Sequence, residues 1–199
     1  MWARIAAGAL FTLTLIAMSA NVRSDDVEAG RQKAAECAAC HGVEGNATLP
    51  GIPSLAGHPA YYTHWQLVMF RNQRRRDPQM APIAAKLSDE DMADLAAYFA
   101  TQVSRPRAGR QAVDAATREA GQRLANTYHC TSCHGPKLLG QEAVPRLVGQ
   151  DHQYLLKRLR GYKTRTSSDL EGFMTSSAQP LTDEDVEILA RYIASLEPS

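Results

Sequence analysis

The stretch CAACHGVEG, Cys37 to Gly45, sets two thiols two residues apart with a histidine directly behind the second. The arrangement returns as CTSCHGP, Cys130 to Pro136, and these two segments hold all 4 cysteines of the chain. The likeness extends outward from both motifs. IPSLAG, Ile52 to Gly57, matches VPRLVG, Val144 to Gly149, and KLSDEDMADLAAYFA, Lys86 to Ala100, matches PLTDEDVEILARYIA, Pro180 to Ala194. Three blocks recurring in one order at shifts of 92 to 94 residues mark an internal duplication. Its unit is too long for a solenoid repeat and has the size of a small domain.

The 199 residues therefore divide into two domains, 25–104 and 105–199, joined by a linker at about 101–113. Pro106 and Gly109 interrupt the helical pattern there. Hydrophobic residues make up 44% and charged residues 22%, which excludes a disordered chain. Residues 1–24 read differently: Arg4, an apolar run from Ile5 to Met18, then small residues. That is the layout of a secretory signal peptide, cleaved between residues 19 and 24. The run falls short of the roughly 20 apolar residues that span a bilayer. An exported, periplasmic protein is expected.

Each repeat reads as helical, and the expected class is all-α. Ser88 with Asp91, and Thr182 with Asp185, set a capping hydroxyl three residues before an acid. Behind them Met92, Leu95, Ala96 and Phe99 share one helical face, as do Val186, Leu189, Ile193 and Leu196. An opening helix precedes each Cys-x-x-Cys-His motif, with Asp25 and Glu28 offering a capping box in the first copy. Gly30 and Gly121 sit inside these opening helices, where glycine costs about 1 kcal/mol against alanine. Close approach of the closing helix at Tyr98 and Tyr192 would explain them. A domain of this size buries only about 60% of its unfolded surface and needs a staple.

The motif supplies one. Four exported cysteines would ordinarily suggest disulfides, and Cys-x-x-Cys pairs also serve zinc. Here each pair lies in its own repeat and carries its own following histidine, the signature of covalent c-type haem attachment. Two haem c groups are expected, on Cys37 and Cys40 and on Cys130 and Cys133. His41 and His134 are then the proximal iron ligands. The sixth ligand decides whether the iron binds small molecules or only passes electrons. The second repeat contains a single methionine, Met174, and a shift of 94 lands on Met80. Both stand in polar surroundings read as loops, seven residues before the leucine that opens the last block. Met69 and Met92 have no such mates and read as core. His58, His64, His129 and His152 lack histidine counterparts, His58 aligning with Gln150, and read as surface residues or as outer support for the ligands. Met/His ligation at both irons follows, which raises the potential over bis-histidine ligation.

The quoted blocks resemble class I cytochromes c in tandem, and in particular the dihaem cytochrome c4 family. The resemblance covers essentially the whole chain after the leader. It implies two cytochrome c folds facing each other, and a periplasmic electron carrier rather than an enzyme. It implies a quinol-oxidising complex or a dehydrogenase as donor and a terminal oxidase as acceptor. It also assigns the carbonyls of Pro53 and Pro145 as acceptors for the His41 and His134 rings. The run Arg74, Arg75, Arg76 before Met80 departs from that pattern. Two other readings stand beside the carrier: a dihaem subunit of a larger dehydrogenase, such as a flavin-linked sulfide-oxidising complex, and a dihaem peroxidase or thiosulfate-oxidising enzyme. Without Arg4 and Arg23, 20 basic and 21 acidic side chains remain, with a balance of −3 in 25–104 and +2 in 105–199. Such an asymmetry can orient a molecule toward a redox partner. The arginine run lacks the interleaved aromatics of a nucleic-acid site. Peripheral membrane association and the oligomeric state are left open.

Overall fold

Each half of the chain builds five helices in the same order. The computed structural model describes residues 24–167, 169 and 171–198, with side chains from residue 26 onward. Residues 1–23 of the expected leader lie outside the described residues, as does the Asp25 side chain of the expected capping box. The first half runs α1 (Ser24–Lys33), α2 (Ala38–His41), α3 (Ala60–Arg71), α4 (Met80–Ala84) and α5 (Asp89–Thr101). The second runs α6 (Ala115–Thr127), α7 (Cys130–His134), α8 (His152–Lys163), α9 (Phe173–Ala178) and α10 (Asp183–Ser195). The all-α expectation holds, with one isolated bridge, Gln141 to Val144, among the described residues.

The closing helix organises each half. Complete capping boxes start α5 at Ser88 and α10 at Thr182, each with its aspartate returning the bond. Beyond the caps, α5 buries Met92, Leu95, Ala96 and Phe99, and packs against both α1 and α3. Helix α10 buries Val186, Leu189 and Ile193 against α6 and α8 in the same way. Cys37 and Cys130 pack against these cores from the motif side. Met69 and Met92 are buried, as the core reading required.

The two methionine segments differ from expectation. Met80 starts α4 and Met174 lies in α9, so neither stands in a loop. Both turns are held by an aspartate: Asp77 Oδ1 accepts the N–H groups of Gln79 at 3.0 Å and Met80 at 3.2 Å. Asp169 Oδ2 accepts from Thr175 at 2.6 Å. Helices of 5 and 6 residues are too short to show apolar periodicity, which is why their polar composition read as loop.

The connection between halves is pinned along its length. Arg105 pairs with Glu44 of the first half, and Arg110 with Glu197 and the Ser195 carbonyl of the second. Arg107 reaches both, donating to Leu49 O at 2.9 Å and pairing with Asp151 at 3.2 Å. Asp151 also caps α8 and accepts the Gly51 N–H at 2.8 Å.

Gly30 and Gly121 have the packing role inferred for them. A Cβ at Gly30 would lie 2.0 Å from the Asp94 carbonyl oxygen, and one at Gly121 2.2 Å from Tyr192 Cβ. Helix propensity favours alanine by about 1 kcal/mol, but such clashes outweigh it. G30A and G121A should each lower holoprotein stability by about 1–3 kcal/mol in denaturant unfolding; an unchanged or raised midpoint would mean the helices can part freely.

Candidate functional site

The Cys-x-x-Cys-His segment needs a turn that brings two sulfurs and one imidazole to a common face. Short helices α2 and α7 provide it, and positive φ at Gly42 (75°) and Gly135 (80°) turns the chain away directly after each histidine. The four cysteines are free of disulfides; Cys40 and Cys133 are exposed while Cys37 and Cys130 are half-buried. His41 and His134 are both buried. Burial holds both imidazoles below their ordinary pKa and therefore neutral, the form in which a ring nitrogen can donate to a metal. The bond to a proline carbonyl opposes that shift at both rings, and at His41 the Arg75 charge adds to it.

The second ring nitrogen is already occupied. His41 Nδ1 lies 2.8 Å from Pro53 O, and His134 Nδ1 lies 2.8 Å from Pro145 O. A carbonyl can only accept, so Nδ1 carries the proton and Nε2 presents its lone pair. His134 Nε2 is buried with no hydrogen-bond partner. An orphaned imidazole nitrogen beside two free thiols fits a tetrapyrrole iron attached through both sulfurs. Met80 and Met174 are half-buried at the start of their short helices. Among the described residues no group of three or more His, Cys, Asp or Glu side chains is set to hold a metal ion, so the thiol pairs lack further zinc donors.

The other histidines fall elsewhere. His64 is half-buried and His129 exposed in a left-handed conformation, while His152 meets Glu187 at 3.2 Å. His58 is buried between the halves: its Nε2 donates to Ser54 O at 3.1 Å and its Nδ1 accepts from the Arg146 N–H at 3.2 Å. Opposite it, Gln150 Oε1 accepts from the Ser54 N–H at 2.8 Å and Gln150 Nε2 donates to Ser54 O at 3.0 Å. Sequence reasoning found His58 and Gln150 as repeat mates but gave no sign that they clasp the two halves together.

All three arginines line one cleft, and Arg75 also reaches into the interior. Arg75 is only 8% exposed; it donates to Gln66 and, at 2.9 Å, to the Tyr154 hydroxyl of the other half, and stacks 4.4 Å from the Phe70 ring centroid. Arg74 and Arg76 line a cleft of about 510 Å³ together with Lys157, Arg158 and Arg160.

Comparison with known proteins gives this geometry its family. The Cytochrome c family model matches twice, over residues 27–102 and 118–197. Cytochrome c4 of Pseudomonas aeruginosa is 35% identical over 178 residues, covering 86% of this chain and 89% of that protein. The crystal structure of reduced recombinant cytochrome c4 from Pseudomonas stutzeri superposes with a TM-score of 0.78 at 31% identity, covering 86% of this chain and 98% of that one. The chain belongs to the dihaem cytochrome c4 family. It accordingly carries two covalently bound haem c groups, one in each cytochrome c domain, and acts in electron transfer. A relative from Stutzerimonas stutzeri called thiosulfate dehydrogenase electron acceptor is 34% identical, over 96% of this chain and 94% of that protein.

Burial of His58 has a consequence in acid. Desolvation, helped by the Arg146 and Arg75 charges and opposed by the Ser54 bond, lowers its pKa to about 4. The unfolded ring titrates near ~6.5. Between these values the unfolded chain binds a proton that the folded chain refuses, so this contribution is complete above about pH 6.5 and is lost as pH falls toward ~4. It should amount to roughly 3 kcal/mol over that window. Denaturant unfolding of the holoprotein across pH 4 to 7 should show the loss, and H58Q, which cannot titrate, should flatten it. Parallel pH profiles for the two proteins would contradict the assignment.

Proposed function

We propose that the protein is a periplasmic electron carrier whose two irons are each closed by a histidine and a methionine. In this reading Cys37 and Cys40, and Cys130 and Cys133, would form the thioether links, and His41 with Met80 and His134 with Met174 would ligate the two irons. The haem supplies a one-electron centre. The chain's part would be to supply both protein ligands to each iron and to hold the rings neutral and oriented through the proline carbonyls. The observation that carries the reading recurs in both halves: an imidazole anchored through Nδ1 directly behind a Cys-x-x-Cys pair, and, in the same half, a methionine in a short helix held by an aspartate. A filled sixth position leaves no room for a substrate on the iron, which separates a carrier from a peroxidase-type enzyme. Residues 1–24 act as the export signal, and no described helix is long and apolar enough to cross a membrane.

The donor in this reading is a quinol-oxidising complex or a dehydrogenase and the acceptor a terminal oxidase. The cleft that Arg74 and Arg76 share with Lys157 and Arg160 gives an acidic partner surface a place to orient. The relative called thiosulfate dehydrogenase electron acceptor favours a second version, in which the immediate donor is a dehydrogenase of that kind. Both versions use the same two centres and differ in the partner alone.

Spectroelectrochemical titration of the holoprotein, repeated under carbon monoxide, tests the carrier reading. Two positive-potential waves unmoved by carbon monoxide are expected. M80A and M174A should each lower one wave and open that iron to carbon monoxide, because the thioether favours ferrous iron. A wild-type wave that shifts under carbon monoxide would instead make one site open and return the enzyme reading.

A further inference from the structure

The peptide groups that follow the two prolines each face in two directions. In the first half, the Pro53 carbonyl accepts from His41 Nδ1 at 2.8 Å while the N–H of the same peptide, on Ser54, is taken by Gln150 Oε1 at 2.8 Å. In the second half, the Pro145 carbonyl accepts from His134 Nδ1 at 2.8 Å while the Arg146 N–H is taken by His58 Nδ1 at 3.2 Å. Gln150 belongs to the second half and His58 to the first, so each proximal histidine is joined through one peptide to a side chain of the opposite domain. All four outer partners, Ser54, His58, Arg146 and Gln150, are buried. Burial keeps bulk solvent from competing for these bonds while the four partners are in place.

Hydrogen bonds in series polarise one another: an acceptor on a peptide N–H makes the carbonyl of that peptide a better acceptor. A better carbonyl acceptor draws the imidazole toward imidazolate and raises its basicity as a ligand. A more basic axial ligand stabilises ferric iron and lowers the potential. We propose that His58 and Gln150 are positioning residues that set the reduction potentials crosswise, His58 tuning the iron of the second domain and Gln150 that of the first. The inference rests on His41 and His134 as iron ligands. It gives His58, for which the sequence suggested only a surface or supporting place, a definite role, and it makes the domain interface part of each redox centre.

The geometry fixes which nitrogen does this. His58 Nε2 faces the Ser54 carbonyl and must carry the proton, so Nδ1 is free to accept from Arg146. Its repeat mate Gln150 meets the same demand with an amide, Oε1 accepting and Nε2 donating. Glutamine at position 58 would thus preserve the acceptor, whereas leucine would delete it.

The test uses H58L, H58Q and Q150L holoproteins, with the two waves assigned to the domains by M80A and M174A. H58L should raise the second-domain potential alone, and Q150L the first-domain potential alone. Each should change the electron-distribution constant between the sites by about threefold, or ~28 mV at ~59 mV per decade for one electron. H58Q should keep the wild-type potentials. Waves that move only in the mutated residue's own domain, or that stay put in folded variants, would overturn the proposal. Should the leucine variants yield no folded holoprotein, amide exchange of the wild type decides: the Ser54 and Arg146 N–H groups should be strongly protected, and free exchange at either refutes its link. Carbon monoxide binding by the wild type would instead show that the ligation reading has failed, which keeps the two failures apart.

Discussion

An imidazole that gives one nitrogen to a metal must anchor itself through the other, and in each half of this chain a proline carbonyl provides the anchor. The bond is 2.8 Å in both copies. Much of the surrounding structure keeps its two ends in place. The Cys-x-x-Cys-His turn fixes the ring from one side. The block containing the proline passes over it from the other and is tied to the closing helix, with the Gly57 N–H bonded to Phe99 O and the Gly149 N–H to Ile193 O. The closing helix in turn needs the opening helix against it, at the separation that Gly30 and Gly121 allow. A helical domain this small has a limited core of its own, which a covalently attached haem would complete.

Duplication explains the likeness of the halves, and the interface shows where they have diverged. Asp77 and Asp169 do the same work on the two methionine turns. His58 and Gln150 occupy matching places and use different chemistry to make the same reciprocal bond. Ser54 and Arg146 match in backbone role but not in side chain: two guanidinium nitrogens of Arg146 are buried without a partner, while the Ser54 hydroxyl accepts from the Ala47 N–H. A dimer of identical subunits could not make such distinctions, because every substitution would appear on both sides.

Local features were legible in the sequence, and relations across the interface were not. The capping boxes at Ser88 and Thr182 and the buried face of α5 follow from short-range pattern, since helix periodicity and caps are written within a few turns, and the glycine contacts were signalled by a glycine inside the opening helix of each repeat. The thiol pairs, histidines and matched methionines were found through the repeat itself. The helices bearing Met80 and Met174 were missed because one to two turns carry too few apolar positions to register. The clasp of His58 and Gln150, and the bridging role of Asp151, join residues 88 to 100 positions apart. No local pattern encodes how two domains face each other. The lone clue was that His58 and Gln150 align, which identifies them as equivalent without saying that they meet the opposite copy.

The pinned linker carries a kinetic meaning. Arg105, Arg107 and Arg110 fasten it successively to the first half, to both halves and to the second half. A slack tether would make encounter between the domains depend on its reach, as an effective concentration does. Here the reach is removed as a variable. Any charge passing from one domain to the other would then be a first-order event across a fixed gap, and its rate would not change on dilution, because no encounter between the halves is needed.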